Sequence, residues 1–170
     1  DLTFINEKRE NALLLSLHYE LPEITHKILM YENCGINQID YMGNNSLILA
    51  LKKHYSDISK LLIIKKIKNI NYIDKHGDSA LSCALRYNYL EIVDLLLRQG
   101  ADMEHLNDDN KDAYQITIEN GSTDVENKLL SSIFACSIFK ISPFGSITFR
   151  LIFEILDVAS PLILTVSPMT

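Results

Sequence analysis

Scarcity is the first thing the sequence shows: no Trp, three Cys, four Pro and six Gly in 170 residues. Cys34, Cys83 and Cys136 are odd in number and far apart, which fits neither a disulfide framework nor a zinc site. The glycines do not gather into a phosphate-cradling loop, and neither H-E-x-x-H nor G-x-S-x-G occurs. The five His residues (18, 26, 54, 76 and 105) stand at separate points with no metal-type pairing. A nucleophilic Cys needs a paired base, and none is suggested. No enzymatic activity, metal or cofactor is therefore expected. Basic charge is also short. Sixteen Lys and Arg face 22 Asp and Glu, a net charge of −6, which argues against non-specific nucleic-acid binding. Long apolar runs are lacking too. The longest uncharged run, 158–170, is broken by Pro161 and Pro168, whereas a spanning helix needs about 18–20 apolar residues.

What is present is a period. Asp40, Gly43, Leu47, Ala50, Ile58, Leu61 and Leu62 lie 34 residues before Asp74, Gly77, Leu81, Ala84, Ile92, Leu95 and Leu96. Asn6, Leu13, Ser16, Ile24, Ile28 and Leu29 fall 34 residues before their own counterparts, and Asn107, Tyr114, Gly121, Val125, Leu129 and Leu130 fall 33 after theirs. A period of this length means stacked supersecondary units. Within a unit, Leu81, Ala84 and Leu85 give one short apolar helical face, and Ile92, Leu95 and Leu96 give another at i, i+3, i+4. Asn88 and Gly121 sit between helices where a left-handed residue is wanted, Gly100 ends a helix in the same way, and Pro22 starts one. Cys83 falls on the apolar face and reads as core. The spacing predicts one extra residue between the second helix and the next finger in the first two repeats. Ile67, at this junction, suits a left-handed turn poorly, so an adjusted turn is expected there.

Residues 74–106 resemble an ankyrin repeat through Asp74, Gly77, Ser79-Ala80-Leu81-Ser82-Cys83-Ala84, Ile92-Val93, Leu95-Leu96-Leu97 and Gly100-Ala101-Asp102. Ala80 replaces the family's helix-starting Pro, and Ser82 its His that ties neighbouring turns, so this unit is expected to be less rigid. The resemblance implies an all-α solenoid of helix-turn-helix pairs with β-turn fingers. It runs as the end of a preceding repeat (1–5), repeat one (6–39), repeat two (40–73), repeat three (74–106) and a degenerate repeat four (107–130). An irregular apolar tail (131–170) follows. Asp1 falls in mid-repeat, so the expectation is a fragment of a longer array whose first helix pair exposes an apolar flank.

The resemblance further implies a protein-binding module without chemistry of its own; a monomer is expected, and the three widely spaced cysteines fit a reducing, cytoplasmic setting. Its contacts would come from the fingers and the exposed ends of the first helices, which line a concave surface. Here those positions are Tyr41, Met42, Asn44, Lys52 and Lys53 in repeat two, and Lys75, His76, Asp78, Arg86 and Tyr87 in repeat three. In repeat four they are Asp108, Asp109, Lys111, Glu119 and Asn120. Tyr41, Met42, Arg86 and Tyr87 are the expected hot spots, because aromatic residues and Arg supply most interface energy.

Charge is uneven along the chain. Residues 41–74 carry six Lys against Asp57 and Asp74, a net +4, while 1–40 and 108–130 are each −4. Asp108, Asn110, Asp112 and Glu119 mimic the ligand spacing of a calcium loop, but Ala113 stands where the sharp turn needs Gly, and the repeat places 114–118 in a helix. The tail holds only Lys140, Arg150, Glu154 and Asp157 as charges, with five of the six Phe. It is read as a cap over the last repeat. Three alternatives stay open: an unfolded segment that truncation or an altered reading frame put in place of the true continuation; a segment recruiting ubiquitin-ligase machinery, through a loose likeness to an F-box in Leu151, Ile155, Leu156, Asp157, Leu162 and Val166; and a membrane-interface anchor.

Overall fold

The structure, a computed structural model, describes residues 2–139, with side chains as far as residue 131. The chain divides into two units, Asp1–Leu129 and Leu130–Thr170. Among the described residues there are eight helices and no extended strand. They come in pairs: α1 (Ala12–His18) with α2 (Pro22–Leu29), α3 (Ser46–Lys52) with α4 (Ser56–Ile64), α5 (Ala80–Arg86) with α6 (Leu90–Arg98), and α7 (Ala113–Asn120) followed by α8 (Thr123–Phe139).

Each pair is built by the same local chemistry. Asn11, Asn45, Ser79 and Asp112 are the N-caps of the first helices, and each side chain accepts the N–H three residues on. This satisfies a donor that the helix itself cannot. Between the paired helices stand Glu20, His54, Asn88 and Gly121, all left-handed with φ between +58° and +63°. Only the last is glycine. The other three accept a conformation that costs an L-residue about 1–2 kcal/mol, so the turn is imposed by the packing of the pair.

The fingers repeat as strictly. Asn6, Asp40, Asp74 and Asn107 each donate their N–H to the carbonyl four residues on, at 2.9–3.1 Å. Each also accepts the N–H of that residue on its own Oδ1, at 2.7–3.0 Å. Asn serves as well as Asp in this turn because the turn itself needs one acceptor oxygen. Single antiparallel bridges, Ile39 to Asn45 and Ile73 to Ser79, close the base of two fingers. The fourth finger keeps this bonding although its sequence has drifted.

First helices pack on first helices and second on second, so α1, α3, α5 and α7 form one layer, and α2, α4 and α6 the other. Leu13, Leu47 and Leu81, equivalent residues of successive repeats, are fully buried, as are Leu62 and Leu96 in the second layer. Fully burying each such side chain stabilises the stack by about 2 kcal/mol, and an isolated pair, lacking the neighbouring layers, gains only part of it. Cys83 is buried as expected. Ile24 lies on the apolar flank of the first helix pair, which is exposed as expected. Its counterparts Ile58 and Ile92 are covered, but Ile24 and neighbouring Leu21 are exposed on the outer side of the first pair.

Two further expectations are refined. The left-handed residue after α4 is Lys66, the counterpart of Gly100, and Ile67 turns inward to the buried place of Ala101. Ser82 donates to the carbonyl of Ser79 and accepts its N–H, closing a capping box inside its own repeat. The segment expected to be tail is helical in its first residues, because α8 continues to Phe139. The cap, recruiting and membrane-anchor readings rest on residues that lie otherwise outside the described ones. No helix among the described residues is long and apolar enough to cross a membrane.

Candidate protein-binding face

The predicted contact residues fall into two groups. One group is internal wiring. At equivalent places in the four repeats, the residue at the base of the finger meets the residue eight positions later, at the end of the first helix. Glu10 stands 3.6 Å from His18, and Asn44 Oδ1 accepts from Lys52 Nζ at 3.2 Å. Asp78 is gripped by both terminal nitrogens of Arg86, at 2.9 and 2.7 Å, and Lys111 Nζ donates to Glu119 at 2.7 Å. The sign of the pair reverses in repeat four.

Asn44 and Asp78 are thus buried and committed within the finger, and their side chains do not present themselves to a partner. Lys52 reaches further, to the fully buried carboxylate of Asp74 in the next repeat, at 2.5 Å. Burial works against the Lys52 charge, but the hydrogen bond and attraction of Asp74 outweigh it and hold its pKa above the usual value. The same competition governs Asp78. Burial pushes its carboxyl up, while the Arg86 fork, helped by Lys52 and Ser82, pulls it below the usual carboxylate range. Arg86 is raised by its bonds to Asp78, against the opposing effect of burial.

Other predicted residues are tied between repeats. Lys53 donates to Glu20 at 2.9 Å, Lys75 Nζ to the Tyr41 carbonyl, and Asn120 Nδ2 to the Leu85 carbonyl at 2.7 Å. Tyr87 packs edge-on against His54, ring centroids 4.6 Å apart, and His54 in turn shares a hydrogen bond with the Tyr89 hydroxyl. This aromatic cluster on the inter-helix edge went unread in the sequence. Its signal was there, since His54 and Tyr89 are neighbours in equivalent turns.

The second group is open. Tyr41 and Met42 are 43% and 39% exposed at the second finger, and His76, Asp108 and Asp109 are exposed at the next two. Consecutive fingers touch: the Tyr41 N–H donates to the Lys8 carbonyl, and His105 Nε2 lies 2.9 Å from the Gly77 carbonyl. The open side chains therefore stand on one row. Asp112 is spent as the N-cap of α7, and Glu119 lies within that helix on Lys111, so the calcium-loop register is not adopted. Among the described residues no cluster of metal-ligating side chains occurs.

Paired helices, capped alike and joined through bonded fingers, define a helical repeat solenoid. The family model for the ankyrin repeat matches residues 76–108. That stretch is similar to an ankyrin repeat, and the described residues fold as an all-α solenoid of helix pairs consistent with ankyrin repeats. No curated protein matches the chain.

Proposed function

We propose that the chain is a non-catalytic scaffold that binds a protein partner along its finger row, with Tyr41 and Met42 as principal contacts. An ankyrin repeat suggests a protein-interaction module, and one observation supports this choice of contact. Tyr41 and Met42 are large, exposed and free of side-chain bonds, on a finger whose backbone is held from both sides. Rigid anchors of this kind bind without a large ordering cost. Arg86 and Tyr87, though expected as hot spots, contribute through the surface left by their contacts with Asp78 and His54. Lys75, His76, Asp108 and Asp109 supply the polar rim. The protein acts as a monomer in the cytoplasm, a setting supported by the free thiols of Cys34 and Cys83.

The test is affinity capture from a lysate of the source cells with the full chain, beside Tyr41→Ala/Met42→Ala. A protein retained by the first and lost by the second, with equal helicity by circular dichroism, supports the reading. Equal capture by both removes the finger row from the account.

A further inference from the structure

The positive charge of residues 41–74 is not spread evenly over the surface. Lys52, Lys53 and Lys60 are each paired with a carboxylate, of Asp74, Glu20 and Glu91 respectively. The other three, Lys65, Lys66 and Lys68, are exposed within one short loop after α4 and have no ion-pair partner among the described residues. Directly before them Ile64 is 64% exposed. Its counterpart one repeat earlier is Met30, 72% exposed, followed by Tyr31, 63% exposed. These are not distant from the lysines. Helix α2 packs on α4, and the Lys68 N–H donates to Asn37 Oδ1 at 2.9 Å, which ties the two junction loops together.

We propose that this edge, formed by the C-terminal ends of α2 and α4 and the loop after α4, docks onto an anionic lipid surface. Three features favour lipid over an acidic protein. Lysines held by no fixed counter-ion each add attraction to a negatively charged leaflet without needing a set geometry. Met30, Tyr31 and Ile64 project apolar groups beside them, as interfacial insertion requires. Tyr, with an apolar ring and a polar tip, suits the headgroup level. The rest of the chain limits the orientation. Segment 108–130 is net −4, and an anionic bilayer turns it away. Glu32, the counterpart of Lys66, is an opposing charge in the patch, and Asp102, whose N–H donates to Asn71 Oδ1 at 2.8 Å, borders it. In repeat three the pattern ends: Arg98 is engaged by Asp94, and Asp102 stands where Lys68 does.

Lysine near a helix C-terminus is also favoured by the helix dipole. That accounts for Lys65 and Lys66 as stabilising residues but not for three exposed apolar side chains. The experiment must therefore read binding as well as folding. The full chain is sedimented with vesicles of phosphatidylcholine containing about 30% phosphatidylserine, and with phosphatidylcholine alone, at about 0.1 M salt, where exposed charges still act over about 10 Å. Binding to the first and not the second is expected. Lys65→Gln/Lys66→Gln/Lys68→Gln should weaken it by about a hundredfold, each lysine contributing about fivefold. Met30→Ser/Ile64→Ser should also weaken it, with the thermal melt of each variant within a few degrees of the parent. Three results would overturn the proposal. Binding of the triple variant as tight as that of the parent would assign attachment to residues 131–170. Indifference to both vesicles, with poly-glutamate shifting the NMR signals of Lys65 and Lys66, would assign the patch to an acidic protein. Binding of neither ligand would leave the patch without a docking role.

Discussion

Replacing Arg86 tests how much of the finger-to-helix wiring is structural. Two charge-assisted hydrogen bonds, at 2.9 and 2.7 Å, join its guanidinium to the buried Asp78. Such bonds are worth about 1.5–3 kcal/mol each. The Arg86 side chain is 37% exposed, however, while that of Asp78 is 8% exposed, and solvent screening draws the pair toward the roughly 1 kcal/mol of surface ion pairs. A double-mutant cycle of Arg86→Met and Asp78→Asn should therefore give a coupling of about 2 kcal/mol. Arg86→Met alone loses this coupling and leaves the buried Asp78 unpaired, and a loss of at least about 2 kcal/mol in a folded unit of this size corresponds to a fall in Tm of about 7 °C or more.

The pH dependence carries the sign. Asp78 is held below its ordinary pKa, so the pair stabilises the fold above about pH 4, the unfolded value, and that contribution is lost as pH falls through the lower folded value. Urea titrations at pH 7 and pH 3 should show the gap between parent and Arg86→Met shrinking at the lower pH. A coupling under about 0.5 kcal/mol, or a gap independent of pH, would refute the reasoning and return Arg86 to the role of a free surface residue.

Core truncation should be costly. Leu81→Ala removes a buried side chain and is expected to lower stability by about 3 kcal/mol in urea denaturation. Two glycines should respond unequally to Ala. Gly77 has φ +71°, and an added Cβ would fall 2.6 Å from the Asp108 backbone nitrogen. Gly121 has φ +63° and nothing within 4 Å. Gly121→Ala is expected to cost about 1 kcal/mol for its conformation alone, and Gly77→Ala clearly more, by the same denaturation assay. Burial pushes the Cys83 thiol up to about 12, so native protein should leave Cys83 unalkylated by iodoacetamide at pH 8, and urea should expose it, as mass spectrometry of the peptides would show.

The repeat, its helices and its buried leucines were legible in the sequence because stacking demands the same residue at the same place in every unit. Side-chain commitment was less legible. Asn44 and Asp78 look like exposed finger residues in one repeat. Only comparison across four repeats, where Glu10/His18, Asn44/Lys52, Asp78/Arg86 and Lys111/Glu119 occupy the same two places, marks them as paired. The turn after α4, expected to be adjusted, keeps a left-handed residue, at Lys66 and not at Ile67, for a reason of burial. Lys can leave its chain in water there, whereas Ile gains by turning inward. The exposure of Ile24 is not legible in its residue type, which matches that of Ile58 and Ile92, but in its place in the first helix pair, where an exposed apolar flank is expected.

The central claim is that the finger row meets a protein partner. It is tested most directly by placing a photoreactive phenylalanine analogue at position 41, and in a second preparation at Glu23 on α2, and irradiating each in source-cell lysate. The account predicts a discrete covalent adduct from position 41, suppressed by excess unlabelled chain, and none of that mass from position 23. Adducts of equal yield from both positions, or from position 23 alone, would contradict it.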